Sequence, residues 1–123
     1  MICLDTNYLI LGLIEGSKES EDLIKWATHC ELLVTPMAAW FEFLCGPVSI
    51  DQISTMRAFL HEILVFDEPQ AIESARLFNA VKRKRSLRID AMIAGAATTS
   101  GAQLATNNRI DFENFVPAGL ELV

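Results

Sequence analysis

Apolar positions along the chain fall into two rhythms. Short runs at Ile2-Cys3-Leu4, Leu32-Leu33-Val34, Leu64-Val65-Phe66, Gln103-Leu104-Ala105 and Leu120 to Val123 are too brief for helices and read as buried strands. Between them lie longer segments whose apolar residues recur every three to four positions, which puts them on one side of a helix. Thr35-Pro36 resembles an N-cap followed by proline at the first helical position, opening a helix that runs to about Gly46-Pro47. Ser49 opens the next helix, with Ile53, Met56, Leu60 and Ile63 on one stripe; a further one from about Glu68 carries Ile72, Ala75, Phe78 and Val81. Both stripes read as core-facing. In a last helix from about Ile89, Met92, Ile93, Ala96 and Ala97 share a face, and Ser100-Gly101 suits its C-cap.

This alternation predicts an α/β fold with a central, mostly parallel sheet of about five short strands covered by helices on both faces. Ligands of such sheets sit beyond the carboxyl ends of the strands. No internal repeat, low-complexity segment or Pro/Gly/Ser-rich linker interrupts the pattern, so residues 1–123 read as a single domain. A hydrophobic content of 51% over 123 residues is enough for one substantial core.

Composition narrows the function classes. Cys3, Cys30 and Cys45 are odd in number, widely spaced and set among apolar residues, which suggests reduced core thiols and a cytoplasmic location rather than a disulfide or zinc framework. His29 and His61 have no ligand-like spacing to each other or to cysteine. The N-terminus has no basic leader pattern, and the longest uncharged stretch, Ala91 to Asn108, is broken by polar residues, so no membrane association is expected. A net charge of −6 is unfavourable for binding nucleic acid, but half of the ten Lys and Arg residues are Lys82, Arg83, Lys84, Arg85 and Arg88. They form a locally positive edge just before Asp90, which a helix end complementing its macrodipole would also explain.

Four acids stand where acids are unexpected. Asp5 ends the first apolar run and is the only charged residue before Glu15; it suits either a crevice or a helix cap. Glu42, the only charge between Glu31 and Asp51, lies between Phe41 and Phe43, so its carboxylate is expected to be desolvated and to need a proton, a cation or a metal, an exposed surface Glu being the alternative. Asp90 begins an otherwise uncharged apolar helix, and Asp111 follows the polar turn after the fourth run. Strand ends and helix starts bring all four towards one crevice, where they cannot all ionise without a countercharge. A hard divalent cation such as Mg²⁺ or Mn²⁺ supplies one.

These residues resemble a known family. Leu4-Asp5-Thr6-Asn7-Tyr8-Leu9-Ile10, the lone Glu42, Arg88-Ile89-Asp90-Ala91-Met92-Ile93-Ala94, and Leu104-Ala105-Thr106-Asn107-Asn108 leading to Asp111-Phe112 are similar, in order and spacing, to the blocks of VapC-type PIN-domain toxins. The resemblance spans nearly the whole chain. It implies an Mg²⁺- or Mn²⁺-dependent endoribonuclease, a homodimer, and neutralisation by a cognate antitoxin. It also implies catalytic roles for Asp5, Glu42, Asp90 and Asp111, metal binding by Asp5, Asp90 and Asp111, and polar support from Asn7, Thr106 and Asn108. Either Asp111 or a water-bridged Asn108 completes such a site. On this reading Lys82, Arg83, Lys84, Arg85 and Arg88 contact the RNA backbone.

Three other readings compete. A phospho-accepting receiver domain would use Asp67, but it wants a second acid beside Asp5 and a Lys after Thr106, and the chain has neither. A haloacid-dehalogenase-like phosphatase wants an Asp where Asn7 stands. A PIN-like domain without catalysis, acting only as a binding partner, would have little reason to keep all four acids.

Overall fold

The computed structural model describes residues 1–123. Strand β1 (Ile2–Leu4) leads into helices α1 (Thr6–Leu11) and α2 (Lys18–Thr28), then strand β2 (Leu33–Pro36). Helices α3 (Met37–Cys45) and α4 (Ile50–Phe59) follow, then β3 (Glu62–Leu64), α5 (Glu68–Ala80) and a 3-10 turn at Arg85–Leu87. Helix α6 (Arg88–Ser100), strand β4 (Gln103–Ala105), helix α7 (Arg109–Phe112) and a second 3-10 turn at Glu113–Ala118 complete the chain.

All four strands pair in parallel, in the order β3-β2-β1-β4. Side chains alternate across a strand, and the core divides accordingly. Cys3, Val34, Leu64 and Leu104 face one cluster with Leu77 of α5 and Ile93, Ala94 and Ala97 of α6. Ile2, Leu4, Leu33 and Ala105 face the other, with Leu9, Leu23, Trp40, Phe43 and Met56 from α1 to α4. Helices therefore cover both faces, and the carboxyl ends of the neighbouring strands β1 and β4 open side by side.

Several local expectations need correction. The run Leu120 to Val123 is not a fifth strand; it adds a single bridge, Leu104 to Leu122, at the outer side of β4. Thr35 and Pro36 end β2, and α3 starts one residue later than expected, with Pro36 rather than Thr35 at its N-cap and no side-chain cap. The buried Thr35 hydroxyl donates to the Leu4 carbonyl at 2.8 Å, and Pro36, without an N–H to donate, is tolerated at the strand's last position. Strand β3 lies two residues before the expected run, leaving Val65 and Phe66 exposed, while the Asp67 side chain caps α5 by accepting from the Gln70 N–H at 3.0 Å. Ile63 consequently belongs to β3, not to the α4 stripe. Ser49 does start α4, through a capping box with Gln52.

Helix α5 is rotated from its apolar stripe. It turns Gln70, Ser74 and Leu77 inward and leaves Ile72 64% exposed, because it lies so close to α6 that Ser74 packs directly on Gly95. Small side chains at the crossing decide the face here, not hydrophobicity. Gly101 closes α6 in the left-handed conformation at φ 71°, a position that favours glycine. Of the cysteines only Cys3 is buried; Cys30 and Cys45 are exposed free thiols, set at a helix end and a helix terminus where the backbone leaves the core. No helix is long and apolar enough to cross a membrane.

Candidate functional site

Asp5 follows β1 and caps α1, its Oδ1 accepting the Thr6 N–H at 2.7 Å. Capping and a place in the crevice are thus compatible. Its second oxygen, Oδ2, accepts the Thr106 hydroxyl at 2.8 Å, so the residues that end β1 and follow β4 are bonded directly. Thr106 Oγ1 accepts in turn from the Asn108 N–H at 3.0 Å, and the Asn108 side-chain amide donates to Asp111 Oδ2 at 3.0 Å. On the other side the Thr6 hydroxyl donates to Glu42 Oε2 at 2.7 Å. One continuous chain of hydrogen bonds therefore orients Glu42, Asp5 and Asp111.

Asp90 lies in the first turn of α6, half-buried, with Leu87 at the N-cap position making no side-chain cap. The cleft in front of it, about 250 Å³, is lined by Asp5, Thr6, Asn7, Glu42, Asp90 and Asn108, with Ile89 and Ile93 as its apolar wall. Asp111 stands behind this lining, tethered through Asn108.

The electrostatics follow from that crowding. Burial pushes the Asp90 carboxyl up to about 6, and the negative charges of Asp111, Asp5 and Glu42 add to the shift. The Asp5 carboxyl is raised mainly by burial and also by the Glu42 charge, against hydrogen bonds from Thr106 and Thr6 that favour its ionised form. Among the residues named, no cation offsets this charge inside the cleft. Hard oxygen donors that repel one another fit a divalent cation such as Mg²⁺ or Mn²⁺. No three His, Cys, Asp or Glu side chains are placed to hold one ion together. An ion here would take one or two carboxylates directly and reach the others through water, the coordination that Mg²⁺ prefers.

The environment of Glu42 differs from expectation. It is exposed on the outer side of α3 beside Phe41, itself 65% exposed, so its carboxylate is hydrated and reaches the cleft through Thr6. Thr106 is buried, Asn7 exposed and Asn108 half-buried. The basic segment is not the last turn of α5. Lys82 and Arg83 follow that helix with positive φ angles of 59° and 55°, and Arg88 opens α6 two residues before Asp90; all five cations are exposed. Sequence reasoning overlooked Thr6, whose place next to Asp5 at the start of a helix was the available signal, and the apolar wall of Ile89 and Ile93.

Comparison with known proteins decides the family, since the PIN domain model matches residues 2–115. The chain belongs to the PIN-domain family. No curated protein sequence matches it significantly. Among solved structures, this PIN domain is similar to one in a toxin–antitoxin complex from Klebsiella pneumoniae. That match has TM-score 0.66 and 26% identity, covering 91% of this chain and 90% of that one. It is also similar to VapBC2 from Rickettsia felis bound to a promoter DNA fragment, with TM-score 0.75, 22% identity, and 100% and 98% coverage. A third match is DNA-bound VapBC from Salmonella typhimurium, with TM-score 0.76, 21% identity, and 99% and 96% coverage. The last two likenesses establish the fold, a PIN α/β domain on a parallel sheet.

Proposed function

We propose that this PIN domain is an Mg²⁺- or Mn²⁺-dependent endoribonuclease and the toxin of a type II toxin–antitoxin pair, restrained by a cognate antitoxin protein. The observation that carries the reading is the cleft that gathers Asp5, Glu42 and Asp90 at the strand ends, with Asp111 close enough to raise Asp90. Its likeness to chains from toxin–antitoxin complexes supports the biological role.

Asp5 and Asp90 would hold the cation, with Asp111, tethered to Asn108, adding its charge. When bound, the cation lowers the pKa of attacking water and offsets charge that grows on the scissile phosphate. Thr6 and Thr106 fix the Asp5 rotamer and favour its ionised form against the upward push of burial, so its oxygens are aimed without having to reorganise. Glu42, exposed and aligned by Thr6, accepts a proton from the water that attacks phosphorus while the P–O bond to the leaving ribose oxygen breaks, and that oxygen takes its proton from solvent. Ile89 and Ile93 close one wall against solvent. Lys82, Arg83, Lys84, Arg85 and Arg88 hold the RNA backbone without reading its sequence.

A cytoplasmic homodimer is part of the proposal. Met37, Phe41 and Leu44, three exposed apolar residues on one side of α3, offer a surface for a protein partner. The test is incubation of total cellular RNA with the purified protein in Mg²⁺, in Mn²⁺ and in EDTA, beside Asp90→Asn. Cleavage that needs both the metal and Asp90 supports the reading. RNA that binds but stays intact under every condition would instead indicate a binding partner without catalysis.

A further inference from the structure

A second hollow adjoins the turn after β4, next to the β1 and β4 strand ends. It measures about 280 Å³ and is walled by Lys18 and Lys25 of α2, Arg109 of α7, and Thr106 and Asn107 of the turn after β4. Tyr8 and Trp26 close its floor, their ring centres 5.7 Å apart. Thr106 is shared in effect between the two hollows, since it lines this one and donates to Asp5 in the other. Asn107 and Asn108, adjacent in the chain, face the two hollows respectively.

Charge is distributed to match. The chain has ten Lys and Arg residues. Arg57 donates to the Leu60 carbonyl, and Arg76 is bonded to Glu73 and the Ala118 carbonyl. The other eight are the five exposed cations from Lys82 to Arg88, leading into Asp90, and the three around this hollow. Arg83 donates to Asn79 Oδ1 at 2.8 Å, so the cations with no bonded partner are Lys82, Lys84, Arg85 and Arg88 in the segment before Asp90 and Lys18 and Lys25 at this hollow, with Arg109 partly engaged. Lys18 and Lys25 are seven positions apart on α2 and therefore share a face, with Asp22 between them. The Asp22 carboxylate is turned to the Tyr8 hydroxyl, which donates to it at 2.9 Å. Arg109 bonds the Val123 carbonyl oxygen at 3.0 Å and pairs loosely with Glu113 at 3.6 Å, while half its side chain stays exposed.

We propose that Lys18, Lys25 and Arg109 form a subsite for a backbone phosphate of single-stranded RNA, next along the strand from the phosphate at the acidic cleft. The inference rests on the ribonuclease reading above and adds the path of the substrate. The strand passes from the Lys82–Arg88 edge, across Asp90 and Asp5, and over Thr106 into this hollow. The Asn107 side-chain nitrogen donates to Glu19 Oε1 at 2.8 Å, which leaves its carbonyl oxygen, with the Tyr8–Asp22 pair, to meet ribose hydroxyls, which DNA lacks at the 2′ position.

The test compares Lys18→Glu/Lys25→Glu with the parent protein, both residues lying at the surface of α2 so that the fold is kept. Binding of a single-stranded RNA decanucleotide is measured over a salt series in the Asp90→Asn background, and cleavage kinetics are measured with Asp90 intact. Expected results are binding weaker by about tenfold and a salt dependence shallower by about 0.7 for each phosphate no longer neutralised. KM should rise with kcat nearly unchanged, and inorganic phosphate should compete far less well than the decanucleotide. If the parent cuts RNA and the variant binds and cuts it equally well, the subsite is wrong while the ribonuclease reading stands. If the parent neither binds nor cuts RNA, both are wrong.

Discussion

Asp90 is where the chemistry and the stability of this domain meet. A carboxyl whose ordinary value is about 3.9 titrates at about 6 here, so the folded chain holds a proton that the unfolded chain has already released. The sign of the linkage follows. The stabilising contribution is complete below about pH 4, is lost as pH rises through about 6, and leaves a charged, crowded Asp90 at neutral pH. A shift of one unit corresponds to about 1.4 kcal/mol, and solvent screening of a half-buried group reduces the cost at neutral pH to the order of 1 kcal/mol. Asp90→Asn should therefore raise Tm by about 4 °C at neutral pH, with the gain vanishing below about pH 4. Added Mg²⁺ should stabilise the parent and not the variant, and thermal melts over a pH series with and without Mg²⁺ read both effects.

Thr106 makes a second prediction at the same scale. Its hydroxyl donates to Asp5 and accepts from the Asn108 N–H, and both bonds would disappear in Thr106→Val. A buried carboxylate that loses such a donor becomes harder to ionise. The acid limb of the cleavage pH profile is expected to move to higher pH, and stability to fall by about 1–3 kcal/mol from the unsatisfied partners. An unchanged acid limb would show that Asp5 does not depend on this bond.

At the scale of elements, the packing of α5 on α6 is the most demanding in the domain. A Cβ added at Gly95 would overlap the Ser74 hydroxyl and stand 3.0 Å from the Ser74 Cα, so the helices themselves would have to separate. Gly95→Ala should cost about 1–3 kcal/mol in denaturant unfolding. The buried Ser74 hydroxyl has no hydrogen-bond partner, and Ser74→Ala should be neutral or stabilising by about 1 kcal/mol. These small residues also explain why part of the fold was illegible in the sequence. Periodicity located the helices and the two-sided sheet, because Ile2, Cys3 and Leu4 alternate faithfully between two cores. It misjudged the face of α5, since an apolar stripe cannot announce that a serine and a glycine will touch. It misplaced β3 as well, because Val65 and Phe66 look like a strand but stay exposed at the sheet's edge.

For the whole molecule, a net charge of −6 and a proposed polyanionic substrate can coexist only through the placement of cations. Reversing Lys82 and Arg83 to Glu is expected to weaken RNA binding and to flatten its salt dependence, by about 0.7 for every phosphate that the pair neutralises. Titrations at two or more salt concentrations would show this, and an unchanged slope would remove those residues from the RNA path. The candidate site was legible to the extent that its acids were rare. Asp5, Glu42 and Asp90 each interrupt apolar sequence, and all three line the cleft. How they are held was not legible. Thr6, Thr106 and Asn108 are ordinary residues in ordinary turns, and only the juxtaposition of β1 with β4 turns them into a network.

That juxtaposition also sets a timetable. Asp5 and Thr106 are 101 positions apart, and β4 reaches its place beside β1 only after all the residues between them have emerged from the ribosome. Closing so long a loop is among the slower events of folding, and during synthesis the N-terminal half can begin to pack well before it. The proposed nuclease cleft is incomplete while the chain is being translated, because its first carboxylate waits for a hydroxyl 101 positions further along.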